Sequence, residues 1–306
     1  MQSTGRIHCS LNINTETGRL SARRPNLQNQ PALDKDKYKI RKSFIPAPGK
    51  KLIVADYGQL ELRILAHMTN CQTMISAFEA GGDFHSRTAL SMFDYIRKDV
   101  ESEKILLEWD FSKGPPSLPL LKEKYAAERK KAKTMNFSIA YGKTASGFAK
   151  DWGCTLPEAE ATLQAWFRDR KEVKIWQDKV KRIAVEQGWT QTMFGRYRDL
   201  TKHFVGKNKR EMLHGLRAAI NTPIQGGAAD VMIAAMVLIW KNKQLKEFGW
   251  DMILQVHDEV VLEGPENFAQ EALRIVVMCM ENPLKEKLKV KLEVDAKICN
   301  SWYDAK

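Results

Sequence analysis

Hydrophobic residues in this chain recur with two different periods, and the changes of period predict its elements. Short apolar runs, typical of strands, lie at 7–14, 51–56, 252–256, 260–263 and 290–298. Apolar residues at helical spacing lie at 61–80, 83–93, 122–141, 208–220, 223–240 and 267–288. The pattern therefore predicts strands near both ends of the chain and a helical block between them.

Capping and turn residues add local detail to this pattern. Thr155-Leu-Pro-Glu158 is a capping-box signature, and apolar residues follow it at helical spacing up to Gly188, which predicts one or two long helices. The stretch 18–33 is rich in Arg, Asn, Gln and Pro, and it predicts an ordered loop with exposed amide and guanidinium groups. Pro223 predicts a break between two helices.

The order of the elements predicts an α+β fold. The outer strands are expected to share one sheet, from which the helical block protrudes. With 306 residues and 43% hydrophobic content, the chain suffices for one large domain or two smaller ones.

Composition limits the possible partners. The 49 Lys and Arg against 37 Asp and Glu give a net charge of +12, which favours nucleic acid through counterion release, although any basic protein shares this property. The 5 cysteines form no CxxC pair, which argues against a disulfide framework or a zinc site and favours a reducing compartment. No membrane partner is predicted, because the apolar run 231–240 is too short to cross a bilayer and the first residues have no hydrophobic signal core.

Four residues spaced four apart, Arg129, Lys133, Phe137 and Tyr141, lie on one side of a helix if 122–141 is helical. They then span about 18 Å, which is comparable to the length of a nucleoside triphosphate. The cations could hold phosphates near the positive end of the helix dipole, and the rings could contact sugar and base. The alternative is an amphipathic helix with a solvated basic face and two core aromatics.

Two apolar runs end in acids, at Asp56 and at Asp258. If the two strands are neighbours, the carboxylates meet, and such like charges require a cation such as Mg²⁺ between them. The alternative for either acid alone is a turn residue that caps its own backbone. The hairpin around Asp258 also carries His257 and Glu259, where a plain turn would use Asn-Gly or Asp-Gly. Two metals held by paired acids meet the requirements of phosphoryl transfer.

Three blocks together resemble the family A DNA polymerases of the polymerase I type. Asp56-Tyr-Gly-Gln-Leu-Glu-Leu-Arg63 is similar to motif A of the family, 129–142 to motif B, and Val256-His-Asp-Glu259 to motif C. Further similar segments are 17–21, 25–29, 221–226 and the closing NSWYDAK. The segment DVESEKILLEWDF with its Pro-rich tail departs from the bacterial enzymes and is similar to an insertion in plant organellar DNA polymerases.

The resemblance implies a right-hand polymerase fold with an antiparallel palm sheet and an inserted, mostly helical fingers subdomain. It places the first part of the palm, with motif A, at 1–70, the fingers at 71–210 and the second part of the palm, with motif C, at 211–306. The chain begins where the palm begins, so the resemblance predicts a fold without a thumb or a proofreading domain and hence low processivity. A piece of a longer protein is the alternative.

The implied activity is that of a DNA-directed DNA polymerase, a nucleotidyltransferase of replication or repair. Its partners would be primer-template DNA and deoxynucleoside triphosphates, with any accessory proteins unknown. The alternatives are a non-catalytic DNA-binding polymerase fragment and a single-subunit RNA polymerase. An intracellular location in chloroplast, mitochondrion or both is implied by the plant resemblance, without a targeting segment in this chain.

The resemblance also implies a role for individual residues. Two Mg²⁺ ions would be held by Asp56, Asp258 and the Tyr57 carbonyl, with Glu259 in support. Glu61 would block a 2′-hydroxyl, and Lys133 would bind the triphosphate and protonate the pyrophosphate leaving group. The nucleotide-binding set is Gln59, Glu61, His85, Arg129, Lys133, Phe137 and Tyr141. The DNA-binding set is Arg19, Gln28, Asn29, Arg217, Asn221, Gln225 and His257.

Several of these assignments have simpler alternatives. His85 could be a helix-start histidine, and Glu61 a surface acid that opens a helix. Asn221 and Gln225 could cap local backbone. Pro223 also argues against one continuous helical face from Arg217 to Gln225.

Overall fold

The computed structural model describes residues 5–31, 36–206 and 208–305, with the backbone alone at Phe111. The chain forms two compact units. One contains Met1–Leu60 and Gln225–Lys306, and the other contains Glu61–Ile224. We call them the sheet unit and the helical unit.

The described strands are β1 (Ser10–Asn12), β2 (Ser21–Arg23), β3 (Lys50–Tyr57), β4 (Trp189–Gln191), β5 (Tyr197–Asp199), β6 (Asp251–Val256), β7 (Glu259–Pro265) and β8 (Val294–Cys299). The described α-helices are α1 (Leu60–Thr69), α2 (Gln72–Glu79), α3 (Phe84–Met92), α4 (Asp94–Glu101), α5 (Leu121–Lys124), α6 (Ala126–Ala140), α7 (Ala145–Trp152), α8 (Leu156–Arg168), α9 (Lys171–Gln187), α10 (Lys209–Lys241), α11 (Lys243–Glu247) and α12 (Ala269–Glu281). Short 3₁₀ segments lie at Ile40–Ser43, Phe111–Lys113, Thr201–His203, Glu266–Phe268 and Trp302–Ala305.

The sheet unit is built on a four-stranded sheet with the order β6-β7-β3-β8, in which all neighbours are antiparallel. Leu52 and Val54 of β3 pack in one core cluster with Trp302, and both residues are buried. On Tyr57 the hydroxyl group donates a hydrogen bond to the carbonyl of Met280 in α12 at 2.6 Å. Because β3 is apolar and buried from Leu52 to Ala55, it suits the centre of the sheet. The predicted α+β class is confirmed.

The first predicted strand does not join that sheet. Instead, β1 pairs with β2, and Leu11 lies opposite Ala22. The prediction that 18–33 is entirely loop is therefore wrong at Ser21–Arg23, and Gln28, at 7% exposure, is not the exposed amide that was expected. A short ribbon is held by backbone hydrogen bonds, which need no apolar alternation to signal them. Residues 32 and 33 of that stretch lie outside the described residues.

The helical unit has more and shorter helices than the apolar pattern predicts. The predicted helix 61–80 is two helices, because Asn70 takes a positive φ of 53° between α1 and α2. The predicted helix 122–141 breaks at Tyr125, so Lys122 belongs to α5 and not to α6. The apolar pattern does not predict α4, α7, the β4-β5 hairpin or, in the sheet unit, α11. In the sheet unit, α12 ends at Glu281 and β8 begins at Val294, both short of their predicted bounds.

The predicted break at Pro223 is also wrong, because α10 is continuous from Lys209 to Lys241. Proline has no N–H, so the carbonyl four residues earlier, that of Ala219, loses its partner within the helix. The hydroxyl group of Thr190 donates to this carbonyl at 3.1 Å and replaces the missing bond. Beside it, Arg198 donates to the hydroxyl oxygen of Thr222 at 3.0 Å. The β4-β5 hairpin thus supports the helix at its proline.

Helix α10 is long and apolar enough to cross a membrane. The apolar run 231–240, which is only part of this helix, is too short to indicate this. However, 61% of its most apolar window is buried inside the protein. Among the described residues this is the one helix long and apolar enough to span a membrane, and its burial is typical of a core helix.

The support at Pro223 is testable with a double-mutant cycle. Thr190→Val should lower the free energy of unfolding by about 1–3 kcal/mol, because it leaves the Ala219 carbonyl buried without a donor. In a Pro223→Ala background the restored N–H can bond that carbonyl. The same Thr190→Val change should therefore lower the free energy of unfolding much less. Urea denaturation of the four proteins measures both values, with Thr190→Ser as the control that keeps the hydroxyl group. Equal costs in the two backgrounds would refute the role of Thr190.

Candidate functional site

The acids of the sheet unit come together where β3 meets the β6-β7 hairpin. Asp56 lies directly opposite Glu259 in the β3-β7 register. Next to it, the N–H of Tyr57 donates to the carbonyl of Asp258 at 3.0 Å. The strands that carry Asp56 and Asp258 are thus neighbours, as the sequence predicts, and both side chains are half-buried.

The turn of this hairpin is held in an uncommon conformation. His257 is exposed and has a positive φ of 56°, which costs a non-glycine residue free energy. The side chain of Gln255 donates to the His257 carbonyl at 2.6 Å and stabilises the turn. Gln28 in turn donates to the carbonyl and side-chain oxygens of Gln255, both at 3.3 Å, and accepts from the N–H of Ala22 at 3.1 Å. Gln28 therefore connects the β1-β2 ribbon to the hairpin that carries Asp258.

Two predicted DNA-binding residues lie beside this turn. Arg19 and His257 line one small cavity together with Gln255. The guanidinium group of Arg19 is 3.6 Å from the Asp258 carboxylate, and both side chains are about one quarter exposed. Asn29, from the same predicted set, is exposed. The sheet unit thus presents cations and acids at one edge.

Glu259 is anchored by the closing segment of the chain. It is 2% exposed, and its Oε1 accepts a hydrogen bond from the indole N–H of Trp302 at 2.7 Å. The Trp302 ring is itself covered by the guanidinium group of Arg41, 4.3 Å from the ring centroid. This packing fixes the Glu259 carboxylate next to Asp56.

The donor set at this edge fits a divalent cation of the Mg²⁺ type. Asp56, near the end of β3, and Asp258, in the turn of the paired β6-β7 hairpin, can supply carboxylate oxygens, and the backbone around Tyr57 can supply carbonyl oxygens. These are the ligands that Mg²⁺ prefers. The described residues contain no cluster of three or more His, Cys, Asp and Glu side chains placed to hold a metal. A cation here would therefore take most of its ligands from backbone, water or a bound substrate.

In the helical unit, Asp83 organises the start of α3. It is the N-cap, and its carboxylate accepts from the N–H of His85 at 3.1 Å and from the hydroxyl group of Ser86 at 2.6 Å. The guanidinium group of Arg129, on α6, donates to the same carboxylate at 2.5 Å. Burial disfavours the charged form, but the bonds from Arg129 and Ser86 outweigh it and hold the pKa of Asp83 below its usual value.

His85 lies behind this pair and is 4% exposed. Burial lowers the pKa of His85 to about 4; the charge of Asp83 opposes this shift, and the charges of Lys133 and Arg129 add to it. The His85 ring is 5.7 Å from the ring of Phe137, and its Nδ1 is 3.1 Å from the amide nitrogen of Asn136. His85 is therefore a neutral side chain at ordinary pH, placed beside the predicted nucleotide-binding residues.

The other end of α6 carries Tyr141, which is its C-cap and is 36% exposed. Its hydroxyl group donates to the carboxylate of Glu61 at 2.6 Å. Glu61 is 3% exposed, which excludes the alternative of a surface acid. After Tyr141 the chain needs Gly142, because φ there is 70° and a Cβ would come within 3.1 Å of Ile220.

The predicted four-residue stripe is thus a real feature of one helix. Arg129, Lys133 and Phe137 lie in α6, and Tyr141 follows directly as its cap. Lys133 is exposed, and Phe137 is half-buried. Gln59, in the link between β3 and α1, is half-buried and has a positive φ of 49°.

The remaining predicted DNA-binding residues are on α10. Arg217, Asn221 and Gln225 follow one another at four-residue steps of this single helix, so the argument from Pro223 against a common face is wrong. Arg217 is exposed, whereas Asn221 and Gln225 are half-buried. One such face can follow the backbone of a duplex or its minor groove.

Sequence reasoning missed several residues that position these groups. Asp83 could have been found, because an Asp directly before apolar residues at helical spacing is a typical N-cap. Glu108 could not, although its carboxylate accepts from the N–H of Asp83 at 3.0 Å and from Arg87 at 2.9 Å. Asn136 and Trp302 could not have been found from the sequence either. Their partners are distant in sequence and leave no local signal.

Comparison with known proteins agrees with this geometry. A model of DNA polymerase family A matches residues 1–104 and 119–304. The Oryza sativa subsp. japonica protein named "DNA polymerase I A, chloroplastic" is 59% identical over 306 residues, which cover 99% of this chain and 30% of that protein. The Arabidopsis thaliana protein named "DNA polymerase I B, chloroplastic/mitochondrial" is 56% identical over 99% of this chain and 29% of its own length.

Bacterial proteins and a solved structure are similar as well. The Thermus aquaticus protein "DNA polymerase I, thermostable" is 36% identical over 99% of this chain and 33% of its own length. The solved POL domain of Pol1 from M. smegmatis, in complex with DNA primer-template and dNTP, has a TM-score of 0.83 at 32% identity. The match covers 99% of this chain and 49% of the solved chain.

These matches define the class of protein as a polymerase of the polymerase I type. The chain belongs to DNA polymerase family A. It spans about 30% of the length of the plant relatives it matches. The stretch 105–118, which contains Glu108, falls outside the family match.

The buried neutral His85 predicts a pH dependence of stability. Unfolded histidine binds a proton below about pH 6.5, but folded His85 does so only near pH 4, so the unfolded state binds more protons between these values. The free energy of unfolding should therefore fall, by up to about 3 kcal/mol, as the pH is lowered through this window. His85→Gln should remove this part of the slope in urea denaturation. The exposed His8→Gln is the control, and an equal slope in His85→Gln and the unmodified chain would contradict the prediction.

Proposed function

We propose that this chain carries out template-directed DNA synthesis, in which the 3′-hydroxyl of a primer attacks the α-phosphate of a deoxynucleoside triphosphate. The observation that carries the proposal is the pairing of β3 with β7, which brings the segments of Asp56 and Asp258 together at one edge of the sheet. Membership of DNA polymerase family A over almost the whole chain supports it. In this proposal 1–70 and 211–306 form the palm and 71–210 the fingers, so the sheet unit belongs to the palm and most of the helical unit to the fingers.

The sheet unit would hold two Mg²⁺ ions. Asp56 and Asp258 would bind them through their carboxylates and Tyr57 through its carbonyl, while Glu259, fixed by Trp302, would support the negative charge of the site. When bound, such ions make a hydroxyl group more acidic and neutralise charge that develops on phosphate. The contribution of the chain itself is to keep these oxygens fixed on paired strands.

The helical unit would bind the nucleotide. Arg129, held in place by Asp83, and the exposed Lys133 would contact the phosphates near the start of α6, where the helix dipole favours negative charge. Lys133 would also donate a proton to the departing pyrophosphate. Phe137 would lie against the sugar. Gln59 and His85 complete the set of residues expected to contact the nucleotide.

Selection of deoxynucleotides would depend on Glu61 and Tyr141. The carboxylate of Glu61 is buried and held by the Tyr141 hydroxyl group, so it has little freedom to move away from a 2′-hydroxyl. Blocking of that position favours DNA synthesis over the single-subunit RNA polymerase alternative. Tyr141 would also border the position of the templating base.

DNA contacts would come from both units. Arg19, Asn29 and His257 of the sheet unit, with Arg217 and the amides of α10, would donate to phosphates and to minor-groove acceptors that all correct base pairs share. Asn221 and Gln225 supply those amides. Gln28, whose amide is bonded inside the protein, would act by holding the Asp258 hairpin. The names of the plant relatives support a location in chloroplast or mitochondrion. A role in replication or repair of DNA is part of the same proposal.

The assignment of the acids predicts the effect of removing one. Asp258→Ala should reduce magnesium-dependent primer extension by at least about two orders of magnitude, because the metal ligands act only as a set. Asp251→Ala, at the far end of the same hairpin, is the matched control and should extend normally. Extension is measured with this chain and with the full-length protein alongside.

Two results would count against the assignment. Extension that survives Asp258→Ala would show that these acids are not the catalytic ones. Salt-sensitive DNA binding without extension by either unmodified protein would favour the non-catalytic DNA-binding alternative.

The position of Phe137 predicts the response to chain terminators. A ring without a hydroxyl group beside the sugar leaves the enzyme dependent on the 3′-hydroxyl of the nucleotide itself. Phe137→Tyr should therefore ease incorporation of dideoxynucleotides, by about tenfold or more for one recovered hydrogen bond. Competition between dideoxy and deoxy substrates in primer extension measures the ratio. An unchanged ratio would mean that Phe137 does not lie against the sugar.

A further inference from the structure

Asn136 is a buried polar residue of α6 that lies outside the nucleotide-binding stripe. It is 0% exposed, and three side chains bond its amide. The indole N–H of Trp166, on α8, donates to its Oδ1 at 2.8 Å. Its Nδ2 is 3.0 Å from the hydroxyl oxygen of Thr88 and 3.1 Å from Nδ1 of His85, both on α3. The nucleotide contacts proposed for the stripe do not involve these bonds.

The orientation of the Asn136 amide follows from its neighbours. Because the indole N–H of Trp166 only donates, the atom that faces it must be the amide oxygen. Thr88 agrees independently, since its hydroxyl proton is donated to the carbonyl of Phe84 at 2.9 Å and its oxygen is left to accept. Both neighbours therefore direct the NH₂ group of Asn136 toward α3.

This orientation decides the tautomer of His85. The NH₂ group of Asn136 can only donate, so Nδ1 of His85 must accept and cannot carry a proton. A neutral imidazole with bare Nδ1 carries its proton on Nε2. Protonation of Nδ1 would place two N–H groups against each other inside the protein, at the cost of a buried hydrogen bond.

The charges around His85 do not overturn this arrangement. Asp83, at the start of the same helix, favours a proton on the ring, whereas Lys133 and Arg129 of α6 disfavour it. Trp166 and Thr88, its neighbours through Asn136, are uncharged. Burial adds to the effect of the two cations, in line with the lowered pKa of His85.

We propose that Asn136, oriented by Trp166, is a positioning residue that locks His85 in the neutral form with its proton on Nε2, ready to donate to a phosphate oxygen of the nucleotide. The donation rests on the nucleotide-binding role proposed above, whereas the lock is a property of the helical unit alone. The lock makes His85 a hydrogen-bond donor whose state does not change around neutral pH.

Ring-nitrogen NMR of ¹⁵N-histidine-labelled protein tests the lock without any substrate. The His85 signals are identified by their loss in His85→Gln. In the unmodified chain they should show a protonated Nε2 and a bare Nδ1 from about pH 5 to 8. Asn136→Asp has the same shape but no N–H to donate, so Nδ1 of His85 should gain a proton. Thr88→Val, which removes the other partner of the amide, should leave the tautomer unchanged.

The NMR outcomes are decisive in either direction. A protonated Nδ1 in the unmodified chain, or a bare Nδ1 in Asn136→Asp, would overturn the lock. Should Asn136→Asp fail to fold, as judged by circular dichroism, the double variant Trp166→Phe with Thr88→Val serves in its place. It removes both groups that orient the amide, so the amide can flip and both tautomers should then be seen; Trp176→Phe, in the neighbouring α9, should keep only one.

Primer extension tests the donation. At pH 8 the Asn136→Asp variant should raise the KM for deoxynucleotide by about tenfold with a smaller effect on kcat, because a bare Nε2 then faces the phosphate. The defect should shrink toward pH 6, where a protonated ring regains its Nε2 proton. The ratio of variant to unmodified KM at each pH cancels the titration of the nucleotide. An unchanged KM together with a shifted tautomer would overturn the donor role of His85 but not the lock. Absence of any primer extension by the unmodified protein would instead count against the proposed function.

Discussion

Polar groups that are buried in this protein must find partners inside it, and the functional geometry depends on that requirement. Glu61 is held by the hydroxyl group of Tyr141, and Glu259 by the indole of Trp302. The amide of Asn136 is bonded on every side. In each case a residue at or beside the candidate site is fixed by a partner from a different element. Site geometry is therefore a result of core packing, and it is not a property of individual loops.

The same requirement explains how the protein holds a cationic side chain in a defined position. Arg129 is neither buried alone nor left mobile, because Asp83 pairs with it and also caps the helix that carries His85. One carboxylate thus arranges a cation and a neutral imidazole on the same side of α6. Glu108 extends this arrangement, since it bonds the backbone of Asp83. Glu108 lies in the stretch 105–118, which is outside the family match, so this contact of Asp83 comes from a part of the chain that the family model does not cover.

The candidate site residues are supported best where several weak sequence signals coincide in the structure. An acid at the end of a strand, a cation stripe on a helix or a histidine at a helix start each has an ordinary explanation. The ordinary explanation fails for Glu61, which is buried, and the segments of Asp56 and Asp258 are paired, as a shared cation site requires. Family membership then makes these separate features parts of one proposed reaction. The inference about Asn136 goes further, because it follows from donor and acceptor chemistry alone.

Features that depend on neighbours in the chain can be predicted from the sequence alone. The sequence predicted the α+β class, the strand β3, the hairpin around Asp258 and the helix face from Arg129 to Tyr141, because period and capping are local properties. It failed where a distant group decides the outcome. Pro223 stays within a helix because Thr190 bonds the freed carbonyl, and Asn136 faces His85 because Trp166 only donates. Only the tertiary structure could decide these points, since a hydrogen bond between residues 30 or 51 positions apart leaves no pattern in the local sequence.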